Sequence, residues 1–334
     1  KAQGLKLDMS RGKPGADQLA VSNGLLDAIT SKDWEDDASN HSLEYRNYGL
    51  LDGVPEAKKL FSDLLDIPVA NIIVGGNSSL NMMFDCIAQG ISMGFGNGPW
   101  AKLDKVKFLC PSPGYDRHFA ITQDFGFEMI TVPMTPEGPD MDMVEALVKD
   151  PQVKGIWCVP KYSNPDGIIY SEETLQRFAN LKPAAPDFLI MWDNAYCIHE
   201  FEGEYVPFPD IIGFCQKAGN PDMVFEFAST SKVTFAGAGF SVMATSEANI
   251  QYFSKLFGVQ IISYDKVNQL RHVRYLKNKE HTLEVMKRHA AIMAPKFAVV
   301  VSALENEIKP CGFAAWNCPK GGYFVSLNTM PGTA

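Results

Sequence analysis

Short apolar runs alternate with longer amphipathic stretches along most of the chain, and that alternation most limits the folds open to it. Ile72-Ile73-Val74, Val106 to Cys110, Phe127 to Val132, Gly155 to Val159, Phe188 to Trp192, Met223 to Ala228 and Phe240 to Thr245 are candidate buried strands. Helical patterns lie between several of them, among them Leu80 to Ala88, Met141 to Lys149 and Thr174 to Asn180. Strand and helix in succession imply crossover connections and a largely parallel sheet covered on both faces. The expected fold class is α/β: a large domain with a mostly parallel sheet between helices, plus a smaller α+β domain.

The texture changes after Ser263. Lys266 to Leu304 is nearly free of Pro and Gly, is interrupted only at Pro295, and predicts a long helix leading into the smaller domain. That domain would end in a strand near Gly322 and include the Gly-, Asp- and Ser-rich N-terminal segment. The expected division is residues 40–285 for the large domain, with 1–39 and 286–334 forming the small one. Lys1 is not a natural start, and the chain stops soon after the strand-like Gly322 to Leu327, so residues are expected to be missing at both ends.

Bulk properties exclude several function classes. A chain of 334 residues is long enough for a substantial core. A formal charge of −9 argues against a nucleic-acid groove or an anionic membrane as main partner. No stretch has the uninterrupted apolar length of a membrane span. Seven widely spread cysteines with no CxxC predict reduced thiols in a cytoplasmic protein. Six histidines without metal-binding spacing predict no metal.

The informative residues follow the strands, because ligands of open parallel sheets bind outside the carboxyl ends. In chain order those ends carry Gly75-Gly76-Asn77-Ser78, Gly114-Tyr115, Ser163-Asn164-Pro165, Asp193-Asn194-Ala195-Tyr196 and Ser229-Thr230-Ser231-Lys232. These groups match the needs of pyridoxal 5′-phosphate (PLP). A phosphate wants free N–H groups at a helix start plus hydroxyls, which Gly76, Asn77, Ser78, Ser229 and Ser231 can supply. A pyridine nitrogen stays protonated beside a carboxylate, for which Asp193 is the candidate. Asn164 and Tyr196 offer donors to a ring oxygen, Tyr115 an aromatic face, and Lys232 an amine for the aldehyde.

Each residue also has a plainer role. Asn164-Pro165 and Gly75-Gly76 are ordinary turn chemistry, and Asp193 could cap a turn. Tyr115 and Tyr196 could be core or rim aromatics, and Ser229 and Ser231 could simply end a strand. His118 and Arg271 suit structural positions as well as an active site. It is their combination around Lys232 that points to function.

Taken together, Ser163-Asn164-Pro165-Asp166-Gly167, Asp193-Asn194-Ala195-Tyr196 and Ser229-Thr230-Ser231-Lys232 resemble, in order and spacing, the signature of class I aminotransferases of PLP fold type I. Tyr48 followed by Gly53, Gly12 within Ser10 to Pro14, and Gly321-Gly322-Tyr323-Phe324 extend the likeness over nearly the whole chain. The runs Leu7 to Gly15 and Val267 to His272 are similar to a bacterial aspartate-aminotransferase subgroup. The resemblance implies that Lys232 holds the cofactor aldehyde and then shuttles a proton, aided by Asp193 and Tyr196. It further implies that Gly12 and Asn164 contact substrate, and that Tyr48 reaches the phosphate of a neighbouring subunit, so the protein would be a homodimer with shared sites.

Two departures stand out. The family has a phosphate-binding arginine eight positions after the lysine, where this chain has Phe240, and no arginine follows Arg288, although the family's carboxylate-binding arginine lies beyond the glycine-aromatic strand. The implied reaction is transfer of an amino group from an amino acid, aspartate or glutamate, to a 2-oxo acid, ping-pong through pyridoxamine phosphate. The alternatives are a PLP-dependent C–S β-lyase using the same Lys232 and a non-catalytic PLP-binding regulatory domain. An α/β enzyme with another cofactor lacks a GxGxxG or GxxxxGK[ST] loop.

Overall fold

A computed structural model describes residues 4, 12–34 and 44–332. The Leu7 to Arg11 part of the subgroup-like run lies outside the described residues. Eight strands form one sheet: β1 (Ile72–Val74), β2 (Lys107–Ser112), β3 (Glu128–Thr135), β4 (Gly138–Pro139), β5 (Val153–Cys158), β6 (Leu189–Asp193), β7 (Val224–Ser229) and β8 (Ser241–Ala244). Their spatial order is β1-β8-β7-β6-β5-β2-β3-β4. The ladders from β7 through β6, β5 and β2 to β3 are parallel, whereas β8 runs antiparallel to both β7 and β1. The expected α/β class with a mostly parallel sheet is what the chain forms.

The central strands β5, β6 and β7 are buried along their length and mostly apolar because both faces are covered, whereas β3, expected to be buried, is largely exposed or half-buried near the sheet edge. On β6, Ile190 and Trp192 join one core while Leu189 and Met191 join the other. Phe225 and Phe227 of β7 oppose Val224 and Ala228 in the same way. Helices α2 (Pro55–Leu65), α5 (Met141–Leu147), α6 (Glu172–Ala179) and α7 (Ile211–Lys217) supply the first core. Helices α3 (Ser79–Ser92), α4 (Asp116–Asp124) and α8 (Glu247–Gln260) supply the second. Gly53 makes one of these junctions possible: it adopts φ +103°, and a Cβ there would lie 2.4 Å from the Val74 side chain.

The helical stretch after Ser263 differs from its expected form. It is two helices, α9 (Lys266–Leu276) and α10 (Lys279–Ala303), parted at Lys277-Asn278 rather than at Pro295. Lys277 takes φ +61°, and the Asn278 side chain accepts from the His281 amide at 2.8 Å, opening the second helix as an N-cap. Pro295 lies inside α10, where the surrounding turns carry the helix past the single bond it cannot make. Pro is the more conspicuous letter, but Asn278 marks the break.

The strand expected across Gly322 to Leu327 also falls elsewhere. Only Leu327 joins a strand, β10 (Leu327–Thr329), which pairs antiparallel with β9 (Ala314–Trp316). Gly321 makes an isolated bridge to Glu200, and Gly322 has φ +78°. A Cβ on Gly321 would lie 2.4 Å from the Tyr162 ring, so these glycines let the chain press onto that ring instead of extending. At the other end of the chain, α1 (Ala16–Ala20) is tied to this region by Gln18 Nε2, which donates to the Tyr323 hydroxyl at 2.9 Å.

Candidate active site

The carboxyl ends of the parallel strands open onto one cavity of about 730 Å³. Asp193, the last residue of β6, faces it while only 4% exposed. Its Oδ2 lies 3.1 Å from His118 Nε2, and the His118 ring stacks on Trp157 with centroids 4.5 Å apart and planes 8° from parallel. The imidazole is therefore held on its face by one aromatic and braced edge-on by Tyr115 at 5.0 Å. Asp193 Oδ1 is buried and has no hydrogen-bond partner among the described residues. A buried carboxylate oxygen left bare is costly unless something else meets it.

Lys232 reaches the cavity from the turn after β7. Thr230 anchors that turn, its amide donating to Phe240 O at 2.9 Å and its Oγ1 accepting from Phe240 N at 3.0 Å. The residues on either side of Thr230 are thereby turned toward the cavity. Ser229 Oγ donates to Ser231 Oγ at 3.0 Å, and Ser231 Oγ to Asn77 O at 3.3 Å. The Lys232 ammonium has no hydrogen bond or ion pair among the described residues, and lies 4.7 Å from the centroid of the Tyr196 ring. Burial pulls its pKa down, and the Asp193 charge only partly opposes this. Burial, followed by the same Asp193 charge, pushes the Tyr196 phenol up.

The other side chains arrive from neighbouring strand ends. Tyr115 is the N-cap of α4, just past β2. Asn164 is presented by a tight turn after β5 in which Gly167 N donates to Ser163 O at 2.7 Å and Ile168 N to Ser163 Oγ at 3.0 Å. Ser78 is the N-cap of α3 without a side-chain capping bond, so its hydroxyl and the first amides of a 14-residue helix are turned toward the cavity. Gly12 lies against Phe324, whose ring would be 2.7 Å from a Cβ at that position.

Of the residues singled out from sequence, Gly12, Ser78, Tyr115, Asn164, Asp193, Tyr196, Ser229, Ser231 and Lys232 line this cavity. Gly76 and Asn77 do not. Gly76 O accepts from Ser241 N and Oγ, both at 2.8 Å, and Asn77 acts through its bond from Ser231. Tyr48 is 79% exposed and lies off the cavity of its own chain. Phe240 is buried among Phe61 and His272, with both ring centroids 5.3 Å away, so it takes the arginine's position without facing the ligand space. Sequence reasoning missed Lys13, Ser79, Asp116 and the wall formed by Leu80, Met83 and Phe324. Ser79 and Asp116 each adjoin a residue that was found, which was the available signal.

Away from the cavity mouth the same loops hold buried charge. Lys161, 1% exposed in the loop after β5, donates to Cys197 O and Val206 O at 2.7 Å each and to Glu200 Oε1 at 2.5 Å. Asn194 Nδ2 donates at 2.8 Å to Glu226 Oε1, whose carboxyl is pushed up to about 8, chiefly by burial. His199, buried with both ring nitrogens unpartnered among the described residues, stands edge-on to Tyr196 at 5.7 Å. Among the described residues no cluster of three or more His, Cys, Asp or Glu suits a metal, and no helix is long and apolar enough to cross a membrane.

Known proteins share both the sequence and this architecture. The sequence model of the family described as Aspartate amino-transferase matches residues 1–334. The chain is 47% identical over 337 residues to a putative aminotransferase of Mycolicibacterium smegmatis, covering 100% of this chain and 78% of that protein. It is 47% identical over 338 residues to an aspartate aminotransferase of Corynebacterium glutamicum, covering 100% of this chain and 77% of the other. The crystal structure of an aspartate transaminase from C. glutamicum superposes with a TM-score of 0.95 at 46% identity, over 100% of this chain and 78% of that one.

Proposed function

The chain belongs to the aspartate aminotransferase family, and on that premise we propose that it transfers an amino group from aspartate or glutamate to a 2-oxo acid with pyridoxal 5′-phosphate, in two half-reactions of ping-pong type. One observation carries the cofactor assignment: Asp193 and Lys232 line the same cavity, Asp193 Oδ1 is buried without a hydrogen-bond partner among the described residues, and Lys232 Nζ meets only the Tyr196 ring there. Asp193 Oδ1 suits the N–H of a pyridinium, and Lys232 Nζ suits an aldehyde carbon. The α3 N-terminus with Ser78, Ser79, Ser229 and Ser231 suits a phosphate. The residues present therefore fit the group.

Bound there, the cofactor would supply the sink for the electron pair released when substrate Cα loses its proton. The protein's own residues do the rest. Lys232, with its pKa lowered by burial, has more of its amine neutral and nucleophilic than a surface lysine. Freed by the substrate amine, Lys232 Nζ would be placed to take the proton from Cα and to give it back on the cofactor side. Asp193 holds the pyridine nitrogen protonated, and His118 keeps that carboxylate aimed. Tyr196 and Asn164 would donate to the ring oxygen, and Tyr115 would cover a face of the ring. Gly76 and Asn77 act through the turn, the Asn77 carbonyl orienting Ser231. Gly12 lies where the N-terminal segment would close over substrate, and Asn164 lines the same cavity.

The exposed Tyr48 supports a homodimer in which this ring enters the partner's site, since a tyrosine left 79% in water gains nothing from its own fold. Seven unpaired cysteines fit a cytoplasmic setting. The test is an absorbance spectrum of the purified protein, repeated with Lys232→Ala and after adding aspartate. The lysine-bound cofactor band is expected in the wild type, absent from Lys232→Ala, and bleached by aspartate and restored by 2-oxoglutarate. Pyruvate and ammonia released from a cysteine conjugate without an acceptor would replace this reading with β-elimination, and tight binding without turnover would replace it with a regulatory role.

A further inference from the structure

Among the described residues, four charged side chains bound the cavity: Lys13, Asp116, Asp193 and Lys232. The proposed function uses Asp193 and Lys232. Asp116 begins α4, where the helix N-terminus suits a carboxylate. Lys13 is left, a cation on the cavity wall with no hydrogen bond or ion pair among the described residues. Building on the aminotransferase reading, we propose that Lys13 selects for acidic substrates by pairing its ammonium with the side-chain carboxylate of the bound amino acid.

Lys13 is held at this edge by its neighbours rather than by its own side chain. Gly12 packs on Phe324 and Tyr323 so closely that a Cβ would lie 2.7 Å from the Phe324 ring. On the other side, Gly15 N donates to Gln18 Oε1 at 3.1 Å, and Gln18, 2% exposed, donates to the Tyr323 hydroxyl. Lys296 pairs with Asp17 at 2.6 Å. Both flanks of Lys13 are thus fastened to the 323–324 segment and to α10. Its four-carbon stem provides the freedom that remains.

The choice of ligand follows from which end of the cavity this is. The hydroxyls of Ser78, Ser229 and Ser231 gather near Asn77, whereas Gly12 and Lys13 lie with Phe324 and Tyr323, on the side of Tyr196. A phosphate would be met at the serine end. A substrate amine must come to Lys232, which keeps its α-carboxylate within one carbon of the reacting centre. The amino-acid side chain is the part free to extend to the rim, where the exposed Lys13 stands. A carboxylate there meets a cation, while a methyl group meets none.

The experiment uses purified holoenzyme as wild type, Lys13→Ala and Lys13→Arg. It reads the ratio of kcat/KM for aspartate to that for alanine, succinate and propionate affinity by calorimetry, and cofactor retention on dialysis. Lys13→Ala is expected to lower the aspartate-to-alanine ratio and succinate affinity by roughly tenfold to a hundredfold, the range of one charge-assisted hydrogen bond. Propionate affinity and cofactor retention should hold, and Lys13→Arg should keep most of the preference. An unchanged ratio with unchanged succinate affinity overturns the proposal. So does an equal loss with aspartate and alanine together with faster cofactor loss, which would assign Lys13 to the phosphate or the α-carboxylate. A wild type that turns over no amino acid sinks the aminotransferase reading instead, and the succinate arm still decides for or against Lys13.

Discussion

Lys161, buried, and Lys232, half-buried, are lysines in loops that follow parallel strands, one after β5 and one after β7, and they are treated in opposite ways. Lys161 has all three of its donor directions filled, by two carbonyls and the Glu200 carboxylate, at 1% exposure. Lys232 has none filled among the described residues and faces a cavity across a tyrosine ring. Burying an ammonium is expensive in either case. At Lys161 the surroundings offset that cost with bonds, which fixes the charge and makes it inert. At Lys232 the cost is left standing, so the neutral amine is favoured. A buried lysine is structural or reactive according to whether its hydrogens have been assigned partners.

The largest effects should come from exchanging each lysine for methionine, and they should fall on different readouts. Lys232→Met is expected to cut transamination by about 10⁴-fold or more, since it removes both the amine and the proton carrier. The cofactor-free variant should melt at or above the wild type at pH 7. The sign follows from the lowered pKa: between it and the unfolded value the unfolded chain binds more protons, so wild-type stability rises with pH there and carries the full burial penalty below. The gap in melting temperature should close as pH climbs toward the ordinary lysine range. A clear loss of stability on this exchange would break the contrast with Lys161.

Lys161→Met should do the reverse, costing about 3–5 kcal/mol of stability by leaving Glu200 buried and unpaired. Denaturant unfolding measures it, and Lys161→Met with Glu200→Gln should recover much of the loss. If the single variant is as stable as the wild type, the cage around Lys161 is not what holds that loop.

The smallest effect concerns a buried acid with no ion pair among the described residues. Glu226 is raised to about 8, so between its unfolded value near 4.5 and 8 the folded state binds the extra proton and stability falls as pH rises. Glu226→Gln keeps the acceptor for Asn194 and removes the ionisation. It should match the wild type near pH 4.5 and melt progressively higher than it toward pH 8. Parallel pH profiles for the two proteins would show that the amide bond from Asn194 already compensates the charge.

The sheet was legible because its buried strands appear in the sequence as short, mostly apolar runs, broken only by single buried charges such as Lys154 and Glu226, and the polar residue that ends several of them is equally conspicuous. Asp193 after Trp192 and Lys232 after Ser231 could be found on that basis. What escaped was set by a local cap that a louder signal masked, or by contacts far apart in sequence. The Lys277-Asn278 break depends on a left-handed backbone and a side-chain cap, while Pro295 gives the stronger signal and does less. Gly321-Gly322 looked like part of a strand because its clash partner, Tyr162, lies some 160 positions away. Lys13 was invisible as a cavity residue until Phe324 and Tyr323 were known to hold its flank.

The antiparallel strand β8 has a mechanical consequence. Since β7 returns antiparallel into its neighbour, with Ser229 opposite Ser241, Lys232 rides on the connection 230–240, whose two legs are both interior strands of the sheet. Displacing the amine along the sheet would require the pair to slip by one residue, which would turn Phe227 and Met243 out of one core and into the other. The reactive nitrogen can swing on its own stem, but its anchor moves only if the pairing of β7 with β8 comes apart.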